Sequence, residues 1–466
     1  MPDFDVIVIG AGPAGEVLAG RTAAAGLSTA IVEERLVGGE CGFYACMPSK
    51  ALLHPGEILD EVRRVPGARE AADGQLAVQA VLDNRDSIIS GLDDSAQVPW
   101  LEDNGISLYR GHGRVAGDKR VLVGDEELLA KVAVVIAIGS QPTLPDVEGL
   151  SQARPWTNRE ATTSKVVPGR LLIVGGGVVG AEMAQAYTSL GAKVTLLARG
   201  TQLLAKEEPW AAEQVAARLR EQGAEIVAEA EIAKVERAGD AGEVTVQLHD
   251  GRSFAGDELL VAVGRHIDSD KLGLDTIGLR PGEHGYLAVD EHLQVPGHDW
   301  LWVVGDANGR ALLTHMAKHQ ARVAADRIAG KSDAALWEVA DGAGAPRVTF
   351  TEPQVAAVGL TEQAARDRGI DVQIVSAGTS ANAGGTFWGA KSQGTSQLVI
   401  DRRRRIVVGA TFTGSEVQDM LQAATFAVVG ELTLEQLWHG IAPFPTRSEV
   451  WLNLLDATGL GRGCQR

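Results

Sequence analysis

Short apolar runs that end in glycine set the rhythm of this chain. "DVIVIG" at Asp5–Gly10 is continuous and rich in β-branched residues, which predicts a strand buried on both faces, as in a parallel sheet. The Ala-rich stretch "EVLAGRTAAAGL" that follows reads as a helix, and "STAIVEE" as a second strand ending at Glu33. The same succession returns in "RLLIVGGGVVGAEMAQAYTSLGAKVTLLAR", Arg170–Arg199. Each copy has a later apolar strand closing on glycine, "VAVVIAIGS" at Gly139 and "LLVAVGR" at Gly264. Beyond residue 338 the pattern changes to strands ("RVTF", "QLVI", "IVVGATF") and one helical stretch, "SEVQDMLQAATFAVVG". The expected fold is α/β, with two Rossmann-like dinucleotide-binding domains and a C-terminal α+β domain.

The turns between strand and helix carry the chemistry. "GAGPAG" places Gly10, Gly12 and Gly15 in GxGxxG spacing, with Pro13 and Ala14 between them. These glycines allow a tight turn, close approach to a pyrophosphate and close helix–strand packing. The helix N-terminus then offers unpaired N–H groups to the phosphates. Glu33 is placed to hold a ribose diol. In the second copy Gly175, Gly177 and Gly180 flank Val178 and Val179. Glu33 stands 23 positions past Gly10, and the same offset from Gly175 reaches Ala198, followed by Arg199. An acid there would repel a 2′-phosphate and an arginine would pair with it, so NADP is expected in preference to NAD. The alternative is an arginine that merely opens the turn "RGTQ". From Gly10 to Gly139 the first copy spans 129 positions, and from Gly175 to Gly264 the second spans 89. The first has been expanded, and the insertion contains "GGECGFYACMPSKALL".

Composition narrows the classes. The 466 residues carry 56 glycines and a formal net charge of −18, which opposes binding to nucleic acid or an anionic membrane. The basic run "DRRRRIVV" lies between two strand patterns and reads as a solvated hairpin turn. No signal sequence or membrane-spanning run is visible, and three cysteines in such a length point to a reducing, cytoplasmic compartment. Two of the three, Cys41 and Cys46, sit five residues apart. A structural zinc site requires four ligands, more than the cysteine segment offers, so no metal is expected. Pro48 suits the first turn of a helix, whose dipole would stabilise a thiolate at Cys46.

With "GAGPAG", "GGECGFYACMPSK", "VVIAIGSQPTLP", "GGGVVGAE", "LLVAVGRHID", "LWVVGDANG", "FTEPQVAAVGLTE" and "FPTRSE" in this order, the chain resembles the flavoprotein disulfide reductases over essentially its whole length. That resemblance implies FAD in the first unit and NAD(P)H in the second. The FAD-binding domain would comprise residues 1–150 and 270–337, the NAD(P)-binding domain 151–269, and the interface domain of a homodimer 338–466. Gly39, Gly113, Ser140, Asp306 and His315 match FAD contacts. Cys46 matches the flavin-proximal cysteine and Cys41 the interchange thiol. Lys50 matches the lysine near the flavin edge, and Glu182 matches the glutamate paired with it.

The C-terminal motif departs from the pattern. The family commonly has a histidine before Pro-Thr-x-Ser-Glu, polarised by the glutamate and acting on the partner subunit. Here Phe444 takes that place, with Pro445, Thr446, Ser448 and Glu449 matching and Arg447 replacing an apolar residue. Since general acid–base catalysis contributes roughly 10²–10⁴-fold, an ordinary lipoamide or glutathione reductase is disfavoured. The small-molecule acceptor is thus a disulfide or another electrophile, with a metal-ion or quinone reductase, or an FAD-binding redox sensor, as alternatives. Cys464 is a candidate second thiolate for a soft metal, against an inert tail thiol. Phe43 and Tyr44 are candidates for narrowing the approach to Cys41.

Overall fold

The computed structural model describes residues 2–72, 74–389 and 394–460, so Cys464 lies outside the described residues. The chain forms two compact units. One comprises residues 1–48, 85–143 and 264–337, and the other residues 49–84, 144–263 and 338–466.

In the first unit the strand predicted from Asp5 runs over Asp3–Ile9 and is the centre of a parallel sheet. Its neighbours are Thr29–Glu33 on one side and Glu126–Ile136 on the other, with Ile106–Arg110 outside Thr29–Glu33 and Leu301–Val303 outside Glu126–Ile136. The strand Glu126–Ile136 begins six residues before the apolar run that announces it. Its N-terminal part pairs antiparallel with Arg120–Val123, which in turn pairs with Gly113–Val115. Val6, Ile7, Val8 and Ile31 are fully buried, as continuous apolar strands covered on both faces must be. Helix Pro13–Ala24 follows the glycine turn, with proline at its first position where no N–H is needed.

The second unit repeats the design. Glu225–Val227, Lys193–Leu197, Arg170–Val174 and Glu258–Val261 form a parallel sheet in that order. Helix Val178–Ser189 leaves the second glycine turn and is buried along most of its length, from Gly180 to Tyr187. An antiparallel sheet of Ile232–Arg237, Val244–Leu248 and Ser253–Gly256 accompanies it. The C-terminal part is a five-stranded antiparallel sheet, ordered Arg347–Thr349, Gln354–Gly359, Ile406–Gly414, Thr395–Asp401 and Val372–Gly378. Phe412, Leu398 and Ala356 on this sheet pack with Leu421 and Ala424 of helix Leu421–Val429 and with Leu454 of helix Val450–Ala457. The arginine run forms the turn between Thr395–Asp401 and Ile406–Gly414. Asp401 Oδ1 accepts from the N–H groups of Arg403 and Arg404, and Arg404 pairs with Glu431. Among the described residues no helix is long and apolar enough to cross a membrane.

Candidate functional site

The two glycine turns are built alike, atom for atom. The Gly10 N–H donates to the Val32 carbonyl, and the Gly175 N–H donates to that of Leu197. Gly10 (φ 106°) and Gly175 (φ 123°) occupy backbone conformations that side chains disfavour. A Cβ at either would lie 2.4 or 2.2 Å from a carbonyl oxygen of the neighbouring strand's end, Ala137 or Ala262. A Cβ on Gly15 or Gly180 would meet the carbonyl oxygen of Gly10 or Gly175 at 1.9 Å. In contrast, Gly12 and Gly177, each at the N-cap of its helix, would meet nothing within 4 Å. Each turn is therefore closed behind and open in front, with helix N–H groups at the opening, which fits a pyrophosphate.

The register also settles the comparison of acids. Since Val32 and Leu197 are equivalent, so are Glu33 and Ala198. Glu33 Oε2 accepts from the Ala11 N–H (2.7 Å) and Oε1 from the Arg35 N–H (2.8 Å). Burial pushes its pKa up, against those two N–H donors. Burial likewise pushes Glu16, in the first helical turn, up to about 7, with Lys318 opposing. A carboxyl held near neutrality repels an incoming pyrophosphate less than a full charge would. In the second turn Ala198 is buried, and Arg199 follows it exposed and in no ion pair among the described residues.

The cysteine segment is fastened directly to the first glycine turn. The Gly38 N–H donates to the Ala11 carbonyl (2.8 Å), and a Cβ on Gly39 (φ 62°) would lie 2.7 Å from Gly12 Cα. Helix Gly39–Phe43 carries Cys41, and helix Cys46–Arg64 opens on Cys46. The two sulfur atoms lie 2.6 Å apart, both half-buried. Phe43 does not narrow the approach to Cys41. It is buried, with its ring against Gly38, and so pins the turn from below. Thr314, at the start of helix Thr314–Ile328, places its hydroxyl 3.3 Å from the Cys46 sulfur. The hydrogen bond to Cys46, then burial and the charge of Cys46, push the Cys41 thiol up.

Beside them in the same unit, the Ser140 hydroxyl donates to Asp306 Oδ2 at 2.5 Å. Arg265 donates from Nε to Ser140 Oγ (2.6 Å) and from its terminal nitrogen to the Ser140 carbonyl (2.5 Å). Burial raises the Asp306 pKa, and Ser140 and Arg265 hold it back. Gly113 is packed against Val32 and Ile9, where a Cβ would come within about 3 Å of both. His315 is exposed, one residue after Thr314.

In the second unit Lys50 Nζ lies 2.8 Å from Glu182 Oε2. Glu182 is buried, its other oxygen accepts from the Phe350 N–H (2.9 Å), and the Lys50 ammonium sits 4.4 Å from the centre of the Phe350 ring. Gly264 (φ 138°), in the first unit, leaves open space where a Cβ would stand. Of the C-terminal motif, Phe444 and Ile441 are exposed, whereas Glu449 has a buried Oε2 with no hydrogen-bond partner. Arg447 does not pair with Glu449. Its guanidinium is buried 4.5 Å from the Trp388 ring centre. Thr314, Arg265 and Phe350 escaped the sequence reading. Each touches a predicted residue only through folding, and the signals available were the motifs holding Arg265 and Phe350 and, for Thr314, its place next to His315.

Two dinucleotide turns, with a close cysteine pair packed on one of them, define a redox protein that takes two nucleotides. Residues 4–321 match the pyridine nucleotide-disulphide oxidoreductase model, and residues 345–455 match that family's dimerisation domain. The chain belongs to this family, and it is a flavoprotein disulfide oxidoreductase. It is 30% identical over 455 residues to a dihydrolipoyl dehydrogenase of Chlamydia trachomatis serovar D, covering 96% of this chain and 95% of the relative. A mercuric reductase of Staphylococcus aureus is 28% identical over 449 residues, covering 96% and 81%. The HOCl-induced flavoprotein disulfide reductase RclA from Escherichia coli, solved as a Cu(II) complex, matches in fold with a TM-score of 0.86 at 24% identity, covering 98% and 99%. The family implies FAD and NAD(P) as cofactors. Gly15→Ala, which must push its Cβ against the Gly10 carbonyl, is expected to purify with well under half the flavin of the parent protein, read from the visible-to-ultraviolet absorbance ratio.

Proposed function

We propose that this enzyme is a cytoplasmic, homodimeric NADPH-dependent reductase that delivers two electrons through Cys41–Cys46 to a disulfide or another electrophilic small molecule. The observation that carries the reading is the cysteine pair, 2.6 Å apart, on a turn bonded to the first dinucleotide loop. Gly10, Gly12, Gly15, Glu33, Gly39, Gly113, Ser140, Asp306 and His315 are assigned to FAD. Gly175, Gly177, Val178, Val179, Gly180, Gly264 and Arg199 are assigned to NADPH. We divide the chain into FAD-binding (1–150 and 270–337), NADP-binding (151–269) and interface (338–466) domains. Exposed Phe444 and Ile441 within the family's dimerisation domain support the homodimer.

When bound, FAD supplies two-electron transfer between the nicotinamide and the cysteines. The remaining steps belong to the protein. Cys41, as thiolate, attacks one sulfur of the acceptor disulfide and expels the other as a thiolate that takes up a proton. Cys46 then attacks the Cys41 sulfur, closing the intramolecular disulfide and releasing the second thiol. The Thr314 hydroxyl is placed to hydrogen-bond the Cys46 sulfur while its charge persists. Lys50, fixed by Glu182 and Phe350, carries the positive charge that favours electron-rich states near it.

An anaerobic titration followed by visible absorbance tests this reading. Four electron equivalents per flavin, with a long-wavelength thiolate band midway, are expected. Two equivalents and no such band would reject the relay. Arg199→Glu is expected to lower kcat/KM for NADPH about tenfold to hundredfold and leave that for NADH unchanged or higher, because the charge that would meet a 2′-phosphate is reversed. Equal use of both nucleotides by the parent enzyme would overturn the NADP assignment.

Reduction of a soft metal ion is a second reading, favoured by Phe444 in the place of the family's histidine and by relatives named mercuric reductase. Metal-ion reduction would be lost in Cys41→Ser. Quinone reduction would survive it.

A further inference from the structure

Away from the nucleotide loops, one cluster in the second unit has the composition of a cation site. Helix Cys46–Arg64 carries His54 and Glu57 three residues apart, on one face. Glu416 reaches the same place from the end of strand Ile406–Gly414. One imidazole nitrogen and one oxygen from each carboxylate all lie within 4.8 Å of one another. Donors bound to one ion at roughly 2.1 Å stand at most about 4.2 Å apart, so small side-chain movements suffice to close the set.

A second observation comes from Glu57 itself. It is 6% exposed, and its Oε1 is buried with no hydrogen-bond partner. Its other oxygen has a long contact, 3.4 Å, to His54 Nδ1, and the Gln354 side chain also hydrogen-bonds the carboxyl. The nearby Arg64 is already committed, to Glu352 at 3.0 Å and, at 3.9 Å, to Glu61. Burial, with Glu352 and Glu416 nearby, pushes this carboxyl up to about 7 against the hydrogen bonds of His54 and Gln354, so a bound cation would supply the countercharge that its ionised form requires. Glu416 is held in position by the Gln418 side-chain amide, which donates to its Oε2 at 2.9 Å. His54 is exposed and leaves the cluster open to solvent.

We propose that His54, Glu57 and Glu416 bind a divalent first-row transition ion, with water completing its coordination. The donor set of one nitrogen and two carboxylate oxygens suits Mn²⁺, Fe²⁺ or Zn²⁺, and two carboxylates balance the charge of the ion. The expectation that the chain carries no metal looked for ligands close together in sequence. Here the third ligand comes from the opposite end of the chain. The ion joins helix Cys46–Arg64 to the segment after Ile406–Gly414, and does so independently of the redox cysteines.

The test uses untagged, flavin-loaded enzyme with Cys41 and Cys46 oxidised, titrated with Mn²⁺ alone and followed by loss of the free-ion electron paramagnetic resonance signal. Oxidised cysteines and a hard ion keep the thiols out of the measurement. One Mn²⁺ per chain is expected, with affinity falling at least about tenfold in His54→Ala and in Glu416→Gln. Both replaced side chains lie outside the core, and an unchanged flavin spectrum checks that each variant folds. No binding by the parent enzyme at millimolar Mn²⁺, or binding that both variants retain, overturns the proposal.

Discussion

Cys41→Ser is expected to abolish disulfide or metal-ion turnover, by at least about 10³-fold, while the flavin is still reduced by NADPH at close to the parent rate. The reasoning rests on which sulfur does what. Cys46 starts a helix and faces the Thr314 hydroxyl, and Cys41 is assigned the attack on the acceptor. With serine at 41 the pair cannot close, and Cys46 is left to hold its charge at the helix N-terminus. The same variant is therefore expected to show the long-wavelength band in its oxidised form, without any reductant. Cys46→Ser should lose both turnover and the band, because Cys46 is the sulfur assigned to the flavin side and a lone thiol at 41 cannot close the pair. Stopped-flow absorbance separates the outcomes. If Cys41→Ser turned over the acceptor normally, electrons would leave the enzyme without passing through the pair, as quinone reduction would allow.

The parts of this enzyme that were legible in the sequence are those whose physics is local. A β-branched run, three glycines at fixed spacing and an Ala-rich helix specify one another over thirty residues. Both dinucleotide turns are found where those residues stand, down to the equivalence of Glu33 and Ala198. The hairpin at Asp401 and Ile406 was legible for the same reason. Boundaries were less so. The helical pattern from Ser415 to Gly430 divides into a 3-10 turn, Val417–Met420, and an α-helix, Leu421–Val429, after Glu416 takes a left-handed conformation. Phe43 was misread because an aromatic residue between two reactive cysteines looks like a gate, and only packing against Gly38 reveals it as a support. Arg265 and Thr314 were missed because each comes within bonding distance of its partner from far along the chain, where no spacing rule applies.

The second large effect concerns the residue that replaces the family's histidine. Phe444→His is expected to raise disulfide reduction by about tenfold to hundredfold at neutral pH, below the full range of general acid–base catalysis because nothing has tuned the site for it. The sign follows from the thiol. The hydrogen bond to Cys46, then burial and the charge of Cys46, push Cys41 above its ordinary value, so a base that takes its proton assists the attack. Without a base, acceptor reduction by the parent enzyme should climb as pH rises through the thiol range, while flavin reduction by NADPH does not. In the proposed homodimer an imidazole at 444, with an unperturbed pKa of about 6.5, would act on the other subunit's cysteine pair, accept the thiol proton and return it to the leaving thiolate. The rising limb should then move to lower pH. Glu449, whose Oε2 is buried without a partner, stands five residues on in the same motif and is the residue available to orient such a ring. If Phe444→His leaves both the rate and the pH profile unchanged, proton transfer does not limit the acceptor half. A soft cation, which needs a thiolate to bind but no proton on departure, would then fit the site better than a disulfide.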